Sequence, residues 1–458
     1  MWACANKMEV FMKKYDIIII GASAAGRTAA ITAKRHYPDK SILIVRKSPK
    51  VPVPCGIPYI FGLLGDTDKN LMPDTPYENS NITIINDEVV SINRDKETIS
   101  CKEKGEINYK RLVLATGSNP IKLPISGIDK ENVFFIYKDY DYLKQMHQKI
   151  KDFKNIVIIG GGFIGVELAD ECKKGNDVNI SIVERLPHCL MLTFDEEFAG
   201  PAEEYLKEKG VKVLINEEVE EISGNGKVEK VKLKSGKTVD ADAVIIGVGA
   251  SPEVSLAKQA GLDIGETGGI KVNQYMLTND NKIYACGDCS EDKSFFTGKP
   301  IGLKLASIAA MEARICAANL FGTKRMDPGA IGVFSTRLGE VTLASAGLTE
   351  KMAEEHFFNV VVGEASGINR HPGKLPGAAS LKIKLIFEKA TGIILGGQIL
   401  GSESAGEIIN VVSACIQKRM TAEDIATFQT GTHPLLTASP VAYQLNNAAE
   451  IAVCKMMN

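Results

Sequence analysis

Two short stretches of the chain carry small residues at the spacing that lets a backbone close on a pyrophosphate. Asn155 to Gly165 reads NIVIIGGGFIG, with Gly160, Gly162 and Gly165 at the three positions of a dinucleotide-binding turn; Tyr15 to Gly26 reads YDIIIIGASAAG, with Gly21, Ser23 and Gly26. The chemistry is anion binding. The first small residue permits the tight turn, the second lets the backbone approach the phosphates, and the third lets the helix pack close to its strand; unpaired N–H groups at the helix N-terminus favour negative charge. Ala24 and Ala25 complete the first turn, and Phe163 and Ile164 the second. Serine at 23 serves as long as its φ stays negative. Glu184 ends the apolar run after the second turn, where a carboxylate accepts a ribose 2′-hydroxyl and repels a 2′-phosphate. This favours NADH, with NADPH left open by the adjacent Arg185. In the first stretch the corresponding position is Arg46, where an acidic residue is expected.

The other chemical resource is thiol. Ten cysteines in 458 residues are too dilute for a disulfide scaffold and lack the paired spacings of a zinc site. The one close pair, Cys286 and Cys289, reads as structural, and Cys101, Cys172, Cys189, Cys316 and Cys415 read as small buried hydrophobes. Cys454, near the C-terminus, reads as an exposed bystander. Cys55 stands in Pro54-Cys55-Gly56-Ile57-Pro58-Tyr59. A helix beginning there would acidify it through the helix dipole and so supply thiolate, the form that attacks a disulfide.

These residues need elements to hold them. Both glycine stretches begin with an uninterrupted apolar run, as a buried parallel strand requires, and continue into an Ala-rich helix and a second strand, Ile42 to Val45 and Ile180 to Val183. Leu112 to Ser118, LVLATGS, reads as a strand entering the small turn Ala115-Thr116-Gly117. Thr278 to Asp288, TNDNKIYACGD, reads as a strand ending at Asp288, followed by an apolar helix over Leu303 to Leu320. From Pro328 the pattern changes to strands at Val341–Ala344, Asn359–Val362 and Leu381–Phe387, then helices at 404–419 and 421–427, an antiparallel α+β module. The expected fold class is α/β with two Rossmann-like domains plus this C-terminal module. Lys and Arg number 54 against 56 Asp and Glu, so no basic footprint for nucleic acid or membrane exists, and one Trp with 6% aromatics argues against base-stacking platforms. No signal peptide or membrane span is read, the start is expected at Met12, and the expected location is a reduced cytoplasm.

With these motifs the sequence resembles the FAD- and NAD(P)H-dependent pyridine nucleotide–disulfide oxidoreductases over nearly its whole length. The resemblance implies an FAD-binding domain in two parts, residues 12–120 and 246–326, an inserted NAD(P)H-binding domain at 121–245, and a dimerisation domain at 327–458. It implies that the first turn, Arg46, the Ala115-Thr116-Gly117 turn and Asp288 meet FAD, Asp288 at the ribityl chain. Gly249 within GVGASP marks the return to the FAD domain, and Phe163 covers the flavin until nicotinamide arrives. Dithiol members carry CxxxxC; PCGIPY has a single cysteine and is similar to the branch of coenzyme A disulfide reductases, NADH oxidases, NADH peroxidases and persulfide reductases. Peroxidases and many oxidases of that branch place a histidine where Ala24 stands, which favours a sulfur substrate. Two tyrosines expected from coenzyme A disulfide reductases are Leu375 and Leu435 or Leu436, which counts against coenzyme A disulfide itself. His433-Pro434 resembles the acid/base pair that dithiol members offer to the partner subunit, while His371-Pro372 reads as structural. Lys34 and Arg35 could meet a substrate phosphate and read equally as solvated charges.

The expected protein is a homodimeric flavoenzyme reducing a small disulfide, persulfide or polysulfide through Cys55, with His433 as its acid. The alternatives are an NADH oxidase, a reductase of a small electron-transfer protein, and a redox-sensing flavoprotein. No metal site, nucleic acid or membrane partner is expected.

Overall fold

A computed structural model describes residues 14–458; the expected start at Met12 lies outside the described residues. The chain divides into two compact units. The first holds residues up to Ile121, Ile136–Lys151 and Gly249–Ala330; the second holds Lys122–Phe135, Asp152–Val248 and Ile331–Asn458.

The first unit is built on β1 (Tyr15–Ile20), α1 (Ala24–His36) and β2 (Ile42–Arg46). Ile17, Ile18 and Ile19 are fully buried on both faces of the sheet. Each contributes about 1.5–3 kcal/mol of apolar burial, which is why the run does not alternate. On α1 the buried stripe is Ala25, Gly26, Ala29, Ala30 and Ala33, small enough to lie close to the sheet and to the helix Ala306–Asn319. The short helix α2 (Thr75–Glu78) leads into β3 (Thr83–Asn86), and β4 is Gly105–Leu114. The parallel order is β3-β2-β1-β4, with Ile283–Ala285 on the far side of β4.

In the second unit β5 (Asn155–Ile159), α3 (Phe163–Lys173) and β6 (Asn179–Val183) repeat the arrangement. They sit in a five-stranded parallel sheet with Val211–Leu214, Ala243–Ile246 and Val133–Phe135. The C-terminal module is a five-stranded antiparallel sheet in the order Val333–Leu338, Val341–Gly347, Ile394–Gly401, Ser380–Glu388, Val360–Ile368. Helices Ala405–Gln417 and Gln444–Met457 pack on it. The fold is thus two Rossmann-like domains and an α+β module. The strands Val333–Leu338 and Ile394–Gly401 and the final helix escape the sequence pattern; in ILGGQILG three glycines dilute the strand signal. Among the described residues no helix is long and apolar enough to cross a membrane.

Candidate functional site

The two glycine turns share one backbone. Gly21 has φ +109° and Gly160 φ +107°, a region closed to side chains. A Cβ at Gly26 would stand 1.9 Å from the Gly21 carbonyl oxygen, and one at Gly165 would stand 1.9 Å from that of Gly160. Ser23 caps α1 with φ −79°, so serine satisfies the middle position, and Gly162 caps α3 with open space where its Cβ would be. Ala24 and Ala25 open α1; Phe163 and Ile164 open α3. Each turn therefore presents the amides of a helix N-terminus over a cradle that a side chain would fill, which fits a dinucleotide pyrophosphate.

The ends of the second strands differ. Glu184 is buried, and its carboxylate accepts from the amides of Gly161 (2.6 Å) and Leu186 (2.8 Å). Its spare lone pairs remain for ribose hydroxyls. Arg46 is also buried; its guanidinium donates to both Asp74 oxygens at 2.6 Å and through Nε to Asn86 Oδ1 at 2.8 Å.

Around the first turn, Ala115 donates its amide to Ile20, Thr116 Oγ1 donates to the Glu253 carbonyl at 2.6 Å, and Gly117 has φ +77°. Gly249, φ +103°, accepts from the Ile121 amide. Asp288 accepts from Ser118 Oγ (2.7 Å) and Lys138 Nζ (2.6 Å). Burial pushes its carboxyl up, but Lys138 and Ser118 outweigh it and hold the group below its usual range, so it stays ionised and fits a flavin's ribityl hydroxyls. Lys138 had no motif to announce it.

Cys55 is exposed on a three-residue 3-10 turn, Pro54–Gly56, followed by a second turn, Pro58–Phe61. The helix expected to start there is absent, because Pro58 has no N–H and each turn closes after a few residues. Acidification by a helix dipole therefore has no helix behind it. The loop is clasped instead by buried Asn70, whose Nδ2 donates to the Val53 carbonyl at 3.0 Å while its own carbonyl accepts from the Val53 amide. A Cβ at Gly56 would strike Asn70 Oδ1 at 2.0 Å. The other thiols differ. Burial pushes Cys101, Cys172 and Cys189 up to about 12 and Cys289 to about 11. Cys286 is raised by its hydrogen bond to Cys316 and by burial, and Cys415 by burial. Cys454 is exposed.

In the second unit His433 is exposed, and its Nδ1 accepts from the Leu435 amide at 3.2 Å, which leaves the proton of the neutral ring on Nε2. His371 braces that loop, its Nδ1 3.1 Å from the Thr437 carbonyl and its amide donating to Pro434. Phe163 stacks on Phe334, centroids 5.2 Å apart and planes 6° apart. One turn along α3, Glu167 takes a 2.8 Å hydrogen bond from Thr336; burial, reinforced by Glu171, pushes its carboxyl up to about 7. Sequence reasoning passed over Glu167, since a glutamate on a helix carries no sign of burial. Lys34 donates to the Lys40 carbonyl, and Arg35 is exposed.

These two turns, an exposed thiol at Cys55 and an antiparallel C-terminal module fit a flavin-dependent dinucleotide oxidoreductase. The pyridine nucleotide-disulphide oxidoreductase model matches residues 15–313, and the dimerisation-domain model of the same family matches 333–442. The chain belongs to that family and is an oxidoreductase using FAD and NAD(P)H. It is 33% identical to an NADH oxidase of Methanocaldococcus jannaschii over 96% of this chain and 99% of that protein. It is 32% identical to an NAD(P)H coenzyme A polysulfide/persulfide reductase of Pyrococcus horikoshii, over 90% of this chain and 93% of that protein. The solved structure of reduced CoADR-RHD from Bacillus anthracis superposes with a TM-score of 0.90 at 28% identity, covering 97% of this chain and 81% of that one.

Proposed function

We propose that the protein reduces a small disulfide, persulfide or polysulfide at the expense of NAD(P)H, with Cys55 as its redox-active thiol. The observation that carries this is the contrast among thiols: Cys55 is exposed on a clasped loop, whereas most others are buried with their acidity suppressed. The FAD-binding parts are assigned to residues 12–120 and 246–326, the NAD(P)H-binding part to 121–245, and the interface to 327–458. The dimerisation-domain match supports a homodimer, and reduced thiols suit a cytoplasmic protein.

When bound, FAD accepts a hydride from NAD(P)H and hands the electron pair to sulfur. The first turn and Asp288 would hold it, and the second turn and Glu184 would hold NADH. Cys55 thiolate attacks one sulfur of R–S–S–R, forming a Cys55–S–S–R bond and releasing RS⁻, which takes a proton from the imidazolium form of His433, supplied across the homodimer. Two electrons then break the mixed disulfide, releasing the second RS⁻ and restoring the Cys55 thiolate. One NADH, one proton and one disulfide give NAD⁺ and two thiols.

A Cys55→Ser variant should lose more than 100-fold of sulfur reduction in an anaerobic NADH assay, along with any long-wavelength thiolate-to-flavin absorbance band. Retained turnover would overturn the assignment. The Methanocaldococcus relative favours a second reading, an NADH oxidase, which oxygen uptake in the same preparation separates.

A further inference from the structure

Arg46 poses a problem of sign. A carboxylate at this position accepts the ribose hydroxyls of a dinucleotide, whereas an arginine is the residue that invites a 2′-phosphate, which FAD lacks. The structure answers through α2. The Arg46 side chain is 6% exposed and that of Asp74 34%, so the member of the ion pair that faces outward at the end of β2 is the carboxylate. The guanidinium donates through Nη1 and Nη2 to separate oxygens of Asp74 and through Nε to Asn86, and this fixes the carboxylate plane. Two oxygens offer about four acceptor sites, and the pair uses two.

Pro73 and Tyr77, on either side of Asp74, are tied to the first glycine turn and the start of α1. Arg27, directly after Gly26, donates to the Pro73 carbonyl at 2.6 Å and stands 5.2 Å from the centre of the Tyr77 ring, and Tyr77 OH donates to the Ala22 carbonyl at 3.3 Å. Asp74 is thereby bracketed between the turn and the end of β2, the two walls of the crevice where the adenosine half of a dinucleotide lies. We propose that Asp74 is the residue that accepts the adenosine ribose hydroxyls of FAD, and that Arg46 is its positioning residue. The proposal rests on the FAD assignment of the first turn and adds to it a ribose contact brought from another element.

The test uses apoprotein titrated with FAD and with the FAD analogue whose adenosine ribose is 2′,3′-dideoxy, followed by quenching of flavin fluorescence. A hydrogen bond to a charged group contributes about 1.5–3 kcal/mol, so the wild type should prefer FAD by roughly 10–100-fold. Asp74→Asn should bring that preference to within about 3-fold, and Arg46→Gln, which releases Asp74 from its fixed plane, should weaken it part of the way. A purely fastening role for the pair would lower both affinities together and leave the preference intact. Such a result in Asp74→Asn, or an unchanged affinity, overturns the assignment of Asp74. A wild-type protein that takes up neither flavin would instead overturn the FAD assignment of the turn itself.

Discussion

The two glycine turns are the same structure with opposite charge at one position. In the second unit the carboxylate is native to the strand, and Glu184 is held by two backbone amides of its own neighbourhood. In the first unit the strand ends in Arg46, and the carboxylate is that of Asp74, the N-cap residue of α2, on the far side of a loop. If Asp74 serves the ribose as proposed, a nucleotide site specifies a charge at a place rather than a residue at a spacing, with a cation at that spacing holding an anion beyond it.

The sharpest way to break the comparison is at its shared feature. Gly26→Ala and Gly165→Ala each put a methyl 1.9 Å from a backbone oxygen, so both turns should open, with different consequences. The first variant should purify with little flavin. The second should keep its flavin, measured by the absorbance ratio, and lose at least about 100-fold in the rate of flavin reduction by NADH in stopped flow, as misplacing a bound reactant by about 1 Å does. Full flavin content in Gly26→Ala would show that the two turns are not equivalent.

A smaller effect is expected at Glu184. Replacing it by Gln removes one charge-assisted acceptor, worth about 1.5–3 kcal/mol, and should lower the preference for NADH over NADPH by roughly 10–100-fold in kcat/KM. An unchanged ratio would remove the carboxylate from specificity and leave Arg46 and Asp74 as the more telling pair.

The smallest effect concerns Glu167, one turn along α3 from Phe163. Its carboxyl is raised to about 7 in the folded protein. The sign follows: its contribution is fully present below the unfolded value near 4.5 and is lost as pH rises through 7. Glu167→Gln should therefore match wild type in unfolding free energy at pH 4.5 and exceed it at pH 8.5 by about 1–2 kcal/mol, discounted for the exposed part of the side chain, with a correspondingly higher thermal midpoint at pH 8.5 only. Equal midpoints at both values would mean that the carboxyl titrates normally.

Legibility in the sequence followed the range of the interaction. The apolar runs of β1 and β5, the helices after them and the three small positions of each turn were readable because a strand–turn–helix unit is set by residues within a dozen positions of one another. The C-terminal sheet was read in part: Val341, Leu381 and their neighbours announced strands, whereas the glycine-diluted strand at Ile394–Gly401 did not. At Cys55 the hexapeptide draws attention to the thiol but suggests a helix that Pro58 interrupts, and the clasp by Asn70 lies outside any local pattern.

The sequence alone thus determined two strand–turn–helix units of dinucleotide-binding form and singled out one cysteine among ten, because small residues and glycine dihedrals act locally. Tertiary structure alone decided which charge faces outward beside the first turn, that Lys138 keeps Asp288 ionised, and that Glu167 titrates near 7. Those outcomes depend on which distant groups share a low-dielectric space, and no spacing along the chain records that.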